Sequence, residues 1–400
     1  MTAQLKLTGA PSTSLTWDTI NWSAMEAHVR RLQMRIAKAT REGKRGKVKS
    51  LQWILTHSFY AKLLAVKRVV RNKGSKTPGI DGVTWDSDKK KILAAKSLKR
   101  RGYKPQPLRR VYIPKRNGKQ RPLNIPCMID RGYQALHLLS LEPVSEILAD
   151  KNAYGFRSKR STADAIAQCF NVLCRKQSAQ WILEGDIKAC YDSIGHQWLL
   201  NNIMMDKQVL SKWLKVGYLE KEVFYHTQEG VPQGGIISPT LMLLTLRGLE
   251  AVVKQSAPKK PDKVNTVVYA DDFIITADSK EILENKVKPT LKAFLAVRGL
   301  ELSETKTKIT DIHDGFNFLG FNVRKYNSTL LIKPAKPNVL AFIRNIKAVI
   351  KRNAMTSAGE LIAILNPKIR GWGNYYRHAV SSKTFRYVNH QIFESLLILP

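Results

Sequence analysis

Asp271 and Asp272 stand side by side between two short β-branched, apolar runs, Thr266-Val267-Val268 and Phe273-Ile274-Ile275-Thr276. That pattern predicts a tight hairpin with two carboxylates at its turn. Neighbouring carboxylates repel, and each makes the other harder to ionise. A divalent cation between them relieves the cost, and hard oxygen ligands suit Mg²⁺. Taken alone, an acidic turn is also what an ordinary solvated loop offers. A third carboxylate shifts the balance. Asp186 falls near the end of Trp181 to Ile187, a stretch that reads as a short buried strand. A strand-end acid beside an acidic hairpin turn can hold two metal ions about 3.5–4 Å apart, the arrangement for in-line phosphoryl transfer.

Positioning such acids takes a real core, and 400 residues at 44% apolar supply one, with length for two or three domains. Lysine and arginine number 67 against 31 acids, a net charge of +36 that calls for a polyanionic partner. The charge is uneven. Between Arg30 and Arg121 there are 29 basic residues and 4 acids. No apolar run reaches about 18 residues and no lipidation motif occurs, so nucleic acid is expected rather than a membrane surface. The four cysteines show no metal-ligand spacing, and the N-terminus has no signal pattern, so a cytoplasmic protein is expected.

Ser23 is placed to cap a first helix, with Glu26 three positions on and Met25, Val29, Leu32 and Ile36 on one face. A basic break over Arg41 to Lys49 leads to a second helix, Leu51 to Arg71, whose cations suit an RNA backbone. Leu108 to Pro126 predicts a hairpin with an Asn117-Gly118 turn, carrying Lys115 and Arg121 on its arms. Paired cations there could close on a triphosphate. Helices are expected over Ser161 to Leu173, Trp198 to Tyr218, Thr240 to Val253 and Lys280 to Arg298. The Gly230 to Pro239 loop offers the Gln233 amide as donor and acceptor. Phe316 to Phe321 reads as one short strand with a glycine bend. The basic helical end places Trp372, Tyr375 and Tyr376 among Arg370 and Arg377, a mixture that fits either base stacking or core packing.

In order along the chain, Gly79-Ile80-Asp81-Gly82, Ile113-Pro114-Lys115, Arg121-Pro122-Leu123, Gly155-Phe156-Arg157, Asp186-Ile187-Lys188, Pro232-Gln233-Gly234, Tyr269-Ala270-Asp271-Asp272 and Phe318-Leu319-Gly320 resemble the blocks of bacterial group II intron reverse transcriptases. Gly371-Trp372 with Tyr375-Tyr376 looks like their maturase region. The resemblance implies an α+β right-hand polymerase with a ferredoxin-like palm sheet. It implies a basic helical N-terminal extension over 1–75, fingers over 76–160, and a palm over 161–332 that holds a fingers segment near 195–230 and the catalytic hairpin 266–276. A thumb or maturase region over 333–400 would follow. Asp186, Asp271 and Asp272 match the catalytic carboxylates, holding two Mg²⁺ ions (or Mn²⁺ in their place) with the Ile187 carbonyl. Lys115, Arg121, Tyr191, Gln233 and Lys306 match nucleotide-binding positions. Phe318, Leu319, Gly320, Arg370, Trp372, Tyr375, Tyr376 and Arg377 match primer or template contacts.

Tyr191 lies five residues after Asp186, where a bulky ring would meet a ribose 2′-hydroxyl, which favours dNTPs over NTPs. Ala270 before the acid pair points the same way. The expected activity is RNA-directed DNA synthesis together with binding of structured intron RNA, to assist splicing and, for a mobile intron, to reach target DNA. The chain ends at Pro400 without a cysteine and histidine cluster for the endonuclease segment that many relatives carry. Two other readings stay open: a splicing factor with little polymerase use, and a domesticated reverse transcriptase working with a non-coding RNA in phage defence.

Overall fold

The computed structural model describes residues 16–114, 118 and 120–398, which group into two units that interleave along the chain. In chain order come α1 (Trp22–Arg41), α2 (Arg45–His57), α3 (Phe59–Arg71), α4 (Asp88–Ser97), β1 (Leu108–Pro114), β2 (Gln120–Ile125), α5 (Met128–Leu148) and α6 (Thr162–Leu173). Then follow β3 (Trp181–Lys188), α7 (His196–Asn202), α8 (Lys207–Leu214), β4 (Tyr218–Glu220), β5 (Val223–Tyr225), α9 (Ser238–Thr245) and α10 (Leu249–Ser256). After them lie β6 (Asn265–Tyr269), β7 (Asp272–Ala277), α11 (Lys280–Ile282) and α12 (Lys288–Ala296). The chain closes with β8 (Glu301–Leu302), β9 (Lys308–Asp311), β10 (Phe316–Phe318), β11 (Phe321–Tyr326), β12 (Thr329–Pro334), α13 (Lys336–Arg352), α14 (Ala358–Tyr376) and α15 (Ser382–Leu397).

The first unit joins the chain up to Ala149 with Ala189–Arg247. Helix α5 is its axis, buried along most of its length, with α1, α2 and α3 packed against it. Its sheet runs β2-β1-β4-β5. Several helix expectations are corrected here. Asn21, not Ser23, caps α1 by accepting from the Ala24 amide at 3.1 Å. The expected helix Leu51–Arg71 is two helices, parted where Ser58 turns extended so that α3 can lay its own apolar face on α5. The expected helix Trp198–Tyr218 is α7 and α8, because the Asp206 carboxylate caps α8 through the Gln208 and Val209 amides.

The second unit joins Asp150–Lys188 with Gly248–Pro400. Residues 189–247, which include the expected segment near 195–230, group with the first unit, and the last helices group with the sheet that carries the acids. Where the chain re-enters this unit, Gly248 adopts φ +89° and divides the expected helix Thr240–Val253 into α9 and α10. Strands β6-β7-β3 run antiparallel with β9 beyond β3, an order of second, third, first and fourth strand. That is the ferredoxin-like order, with α12 crossing between the third and fourth strands. A separate antiparallel sheet, β10-β11-β12, precedes the three terminal helices.

Gly185 sits in the middle of β3, directly opposite Phe273 on β7. The Phe273 ring, 1% exposed, fills the space a side chain would take, since a Cβ on Gly185 would lie 2.1 Å from it. Gly185→Ala should therefore lower stability by roughly 1–3 kcal/mol through overpacking, and adding Phe273→Leu should recover part of the loss. Thermal unfolding of the two variants checks this. An unchanged midpoint for the single variant would remove the packing account.

Candidate active site

The acidic turn is tight because Tyr269 pairs with Asp272, leaving only Ala270 and Asp271 to reverse the chain. Ala270 takes φ +59°, a conformation that glycine usually fills at the first position of such a turn. The preceding segment holds the hairpin in place. Tyr154 N–H donates to the Val268 carbonyl at 2.8 Å, and Val268 N–H donates to the Asn152 carbonyl at 2.9 Å. Gly155 then passes so close that a Cβ there would lie 2.3 Å from the Ala270 nitrogen. The sequence marked Gly155 only through the family blocks; its reason is this backbone-to-backbone approach.

Asp186 stands opposite Asp272 in the β3–β7 register, and directly opposed residues of antiparallel strands point to the same face. Asp271 adjoins them in the turn. The Asp186 carbonyl accepts from the Ser303 amide at 2.8 Å, so its neighbour Ile187, with backbone polarity alternating, turns its carbonyl to the opposite edge, where β7 runs. The Lys306 ammonium donates to Asp186 Oδ2 at 2.9 Å. The Asp272 carboxyl is pushed up to about 6, first by the protein packed around it and then by the charges of Asp271 and Asp186, with Lys306 pulling the other way. Asp272 as a whole remains exposed, so water screens part of these effects.

The donor set fits a hard divalent cation: three carboxylates at one end of the sheet, excess negative charge, and an ammonium standing against one of them. Among the described residues, however, no three acidic, histidine or cysteine side chains are already drawn into a closed metal cluster. Asp186 is engaged by Lys306 instead.

The remaining nucleotide-binding expectations fall in the first unit. Lys115 lies outside the described residues. Arg121 is exposed on β2, opposite Ile113. The Gly230–Gly235 loop is tied to both neighbours: Val231 N–H donates to the Tyr191 carbonyl at 2.6 Å, and Asn124 N–H on β2 donates to the Gln233 carbonyl at 2.7 Å. The Gln233 amide donates to Asp192 Oδ2 at 3.2 Å. Tyr191, Gln233 and the strand bearing Arg121 thus share one frame.

The expected single strand at Phe316 is a hairpin, β10 and β11, turning at Leu319 (φ +50°) and Gly320 (φ +80°). Phe318 and Tyr376 are buried in the core and cannot stack on a base, which corrects their expected role as nucleic-acid contacts. Their part is structural. Tyr375 Oη donates to the Leu319 carbonyl at 2.8 Å and Tyr376 Oη to the Gly320 carbonyl at 3.2 Å. Trp372 stacks on Phe342 at 4.6 Å. Arg370 and Arg377 remain exposed.

Residues 113–323 match the family described as reverse transcriptase (RNA-dependent DNA polymerase), and residues 17–98 match the N-terminal domain of reverse transcriptase. Residues 339–398 match the group II intron, maturase-specific domain. Protein YkfC of Escherichia coli strain K12 is 31% identical over 309 residues, 66% of this chain and 80% of that protein. The group II intron-encoded protein LtrA of Lactococcus lactis subsp. cremoris is 29% identical over 81% of this chain and 70% of its own. A solved telomerase from Candida albicans aligns with 73% of this chain and 61% of its own at 13% identity and TM-score 0.45, too loose a likeness to carry argument. The fold is the α+β fold of a reverse transcriptase domain. The chain belongs to the reverse transcriptase family: it is an RNA-directed DNA polymerase with a group II intron maturase domain. No helix among the described residues is long and apolar enough to cross a membrane.

Two outcomes follow from the hairpin. Gly155→Ala displaces the turn that carries Asp271, and a displacement of about 1 Å can cost on the order of 100-fold in rate; primer extension should fall by that order while circular dichroism is unchanged. Folding raises the Asp272 pKa from 3.8 to about 6, so the penalty is absent in acid, grows as pH rises through that window and is full above it. With EDTA present, Asp272→Asn should raise the melting temperature at about pH 7.5 and bring little gain at about pH 4. Equal gains at both pH values would contradict the electrostatic account.

Proposed function

We propose that Asp186, Asp271 and Asp272 are the catalytic carboxylates for dNTP addition on an RNA template. The observation that carries this is the register setting Asp186 opposite Asp272, with Asp271 in the adjoining turn. In the reaction a primer 3′-hydroxyl displaces pyrophosphate from a dNTP, forming one phosphodiester bond. Two Mg²⁺ ions, or Mn²⁺ in their place, would acidify that hydroxyl and neutralise the departing pyrophosphate when held by the three acids and the Ile187 carbonyl. Lys306, on a surface turn, must release Asp186 for this, and its ammonium then faces the triphosphate. Lys115 and Arg121 serve the same triphosphate from the β1–β2 hairpin. The Tyr191 ring excludes a 2′-hydroxyl. Gln233 is held by Asp192 to meet the nascent pair.

We assign palm to the second unit's ferredoxin-like sheet, fingers to the first unit's sheet, and thumb to α13–α15. Arg370, Arg377 and the basic helices α1–α3 are the contacts for structured intron RNA, which the protein helps to splice in the cytoplasm, target DNA being a further substrate of mobility. The family match over 339–398 favours this over a phage-defence role.

The test is primer extension on an RNA template with Mg²⁺ and dNTPs, comparing wild type with Asp271→Ala. DNA product from wild type alone is expected, with NTPs used poorly unless Tyr191 is made alanine. No product from wild type that still binds intron RNA tightly would leave a splicing factor in place of the polymerase.

A further inference from the structure

At the end of the ferredoxin-like sheet opposite the acids lies a groove of about 730 Å³. One wall is the α6–β3 connection and the other is the segment between α10 and β6. Six cations line it: Arg175, Lys176, Lys254, Lys259, Lys260 and Lys263. Lys263 pairs with Asp278 at 2.7 Å, and among the described residues the other five make no ion pair. So many like charges around one concavity repel one another and do nothing for folding. They favour a polyanion.

The groove is built rather than an accident of mobile loops. On one wall the Lys325 ammonium, 4% exposed, donates to the Arg175 carbonyl at 2.8 Å and to Ser178 Oγ at 2.9 Å, pinning the connection from beneath. On the other, Lys263 is held at φ +52°, a strained conformation for a side chain of its size. Its carbonyl accepts from the buried Thr276 hydroxyl at 2.9 Å and from Asn265 Nδ2 at 3.1 Å. The Asp278 amide donates to the Asp262 carbonyl at 2.9 Å. Both walls therefore present their cations from fixed backbone.

We propose that this groove is a second RNA site, binding the phosphate backbone of a structured RNA outside the polymerase cleft. The inference rests on the reading of the chain as an RNA-binding polymerase. Three features select RNA. The Gln177 side-chain amide adds a donor and an acceptor, and the amide oxygens of Asn171 and Asn265 add acceptors, for ribose hydroxyls between the cations. The surface is concave and lacks the large apolar anchors that a membrane-lying face needs. And β3 begins at Trp181, two residues past Ala179 of the groove, and carries the chain about 17 Å at roughly 3.3 Å per residue to Asp186, so RNA held here contacts different phosphates from the primer terminus.

The test replaces Lys176, Lys254, Lys259 and Lys260 with glutamine, all on exposed positions, and measures binding of a long labelled RNA hairpin across a salt series. Each lost phosphate contact removes roughly 0.9 from the slope of log affinity against log salt, so a slope shallower by about 2–4 is expected, with affinity at about 0.15 M salt down by at least about tenfold. Extension of a short primed RNA template should be unchanged, and the matching lysine-to-arginine variant should bind like wild type. An unaltered slope, an equal loss in the arginine variant, or a loss for a DNA duplex but not for RNA would each overturn the proposal. Wild-type protein that binds the hairpin yet extends no primer would sink the polymerase reading and leave the groove standing.

Discussion

Three carboxylates at one end of a sheet repel one another, and the second unit is arranged to hold them there against that repulsion. The force acts on the weakest kind of element, a two-residue turn at the tip of a hairpin. Its resistance comes from below. Val268 is bonded on its free edge to Asn152 and Tyr154, Gly155 braces the turn backbone, and the Phe273 ring locks β7 across Gly185 of β3. The two glycines are alike in kind: each removes a side chain so that something rigid can come within contact distance of the acids' support. Lys306 supplies the opposite charge meanwhile. A cation bound between the acids would take over that role, so an ammonium on Asp186 is compatible with a metal site.

Much of this was legible because it is local. The acid-bearing strand and hairpin, and the hairpin carrying Arg121, follow from alternation and turn residues. Ser161 caps α6 with a full capping box that its sequence spells out, Asp164 closing back on the Ser161 amide. The breaks were harder. Periodicity runs straight through Ser58 and through Leu246 to Gly248, because the apolar spacing continues while tertiary packing redirects the axis. Two signals were present and underweighted: Asp206 as a cap inside an apparent helix, and Gly248 as a left-handed residue between two apolar stretches. At Leu319 and Gly320 the glycine marked a bend, but an apolar leucine at positive φ gives no turn signal, so one bent strand is expected where the chain makes a hairpin. Its support lies more than fifty residues away.

That support resolves an alternative that the sequence left open, whether the aromatic and basic residues near the end pack or bind. Helix α14 does both on different faces. Trp372 and Tyr376, four apart, face inward with Tyr375, and the two tyrosine hydroxyls hold the carbonyls of Leu319 and Gly320. Arg370 lies exposed on the same helix and Arg377 lies exposed just past its end. Stacking and phosphate pairing would have required the rings outside, at the cost of the core they fill. With the rings inside, RNA held by the arginines would pull on a helix whose own hydroxyls fix the β10–β11 turn. On the proposed assignment, binding at the maturase region is therefore mechanically joined, through two hydrogen bonds, to the turn expected to grip the primer.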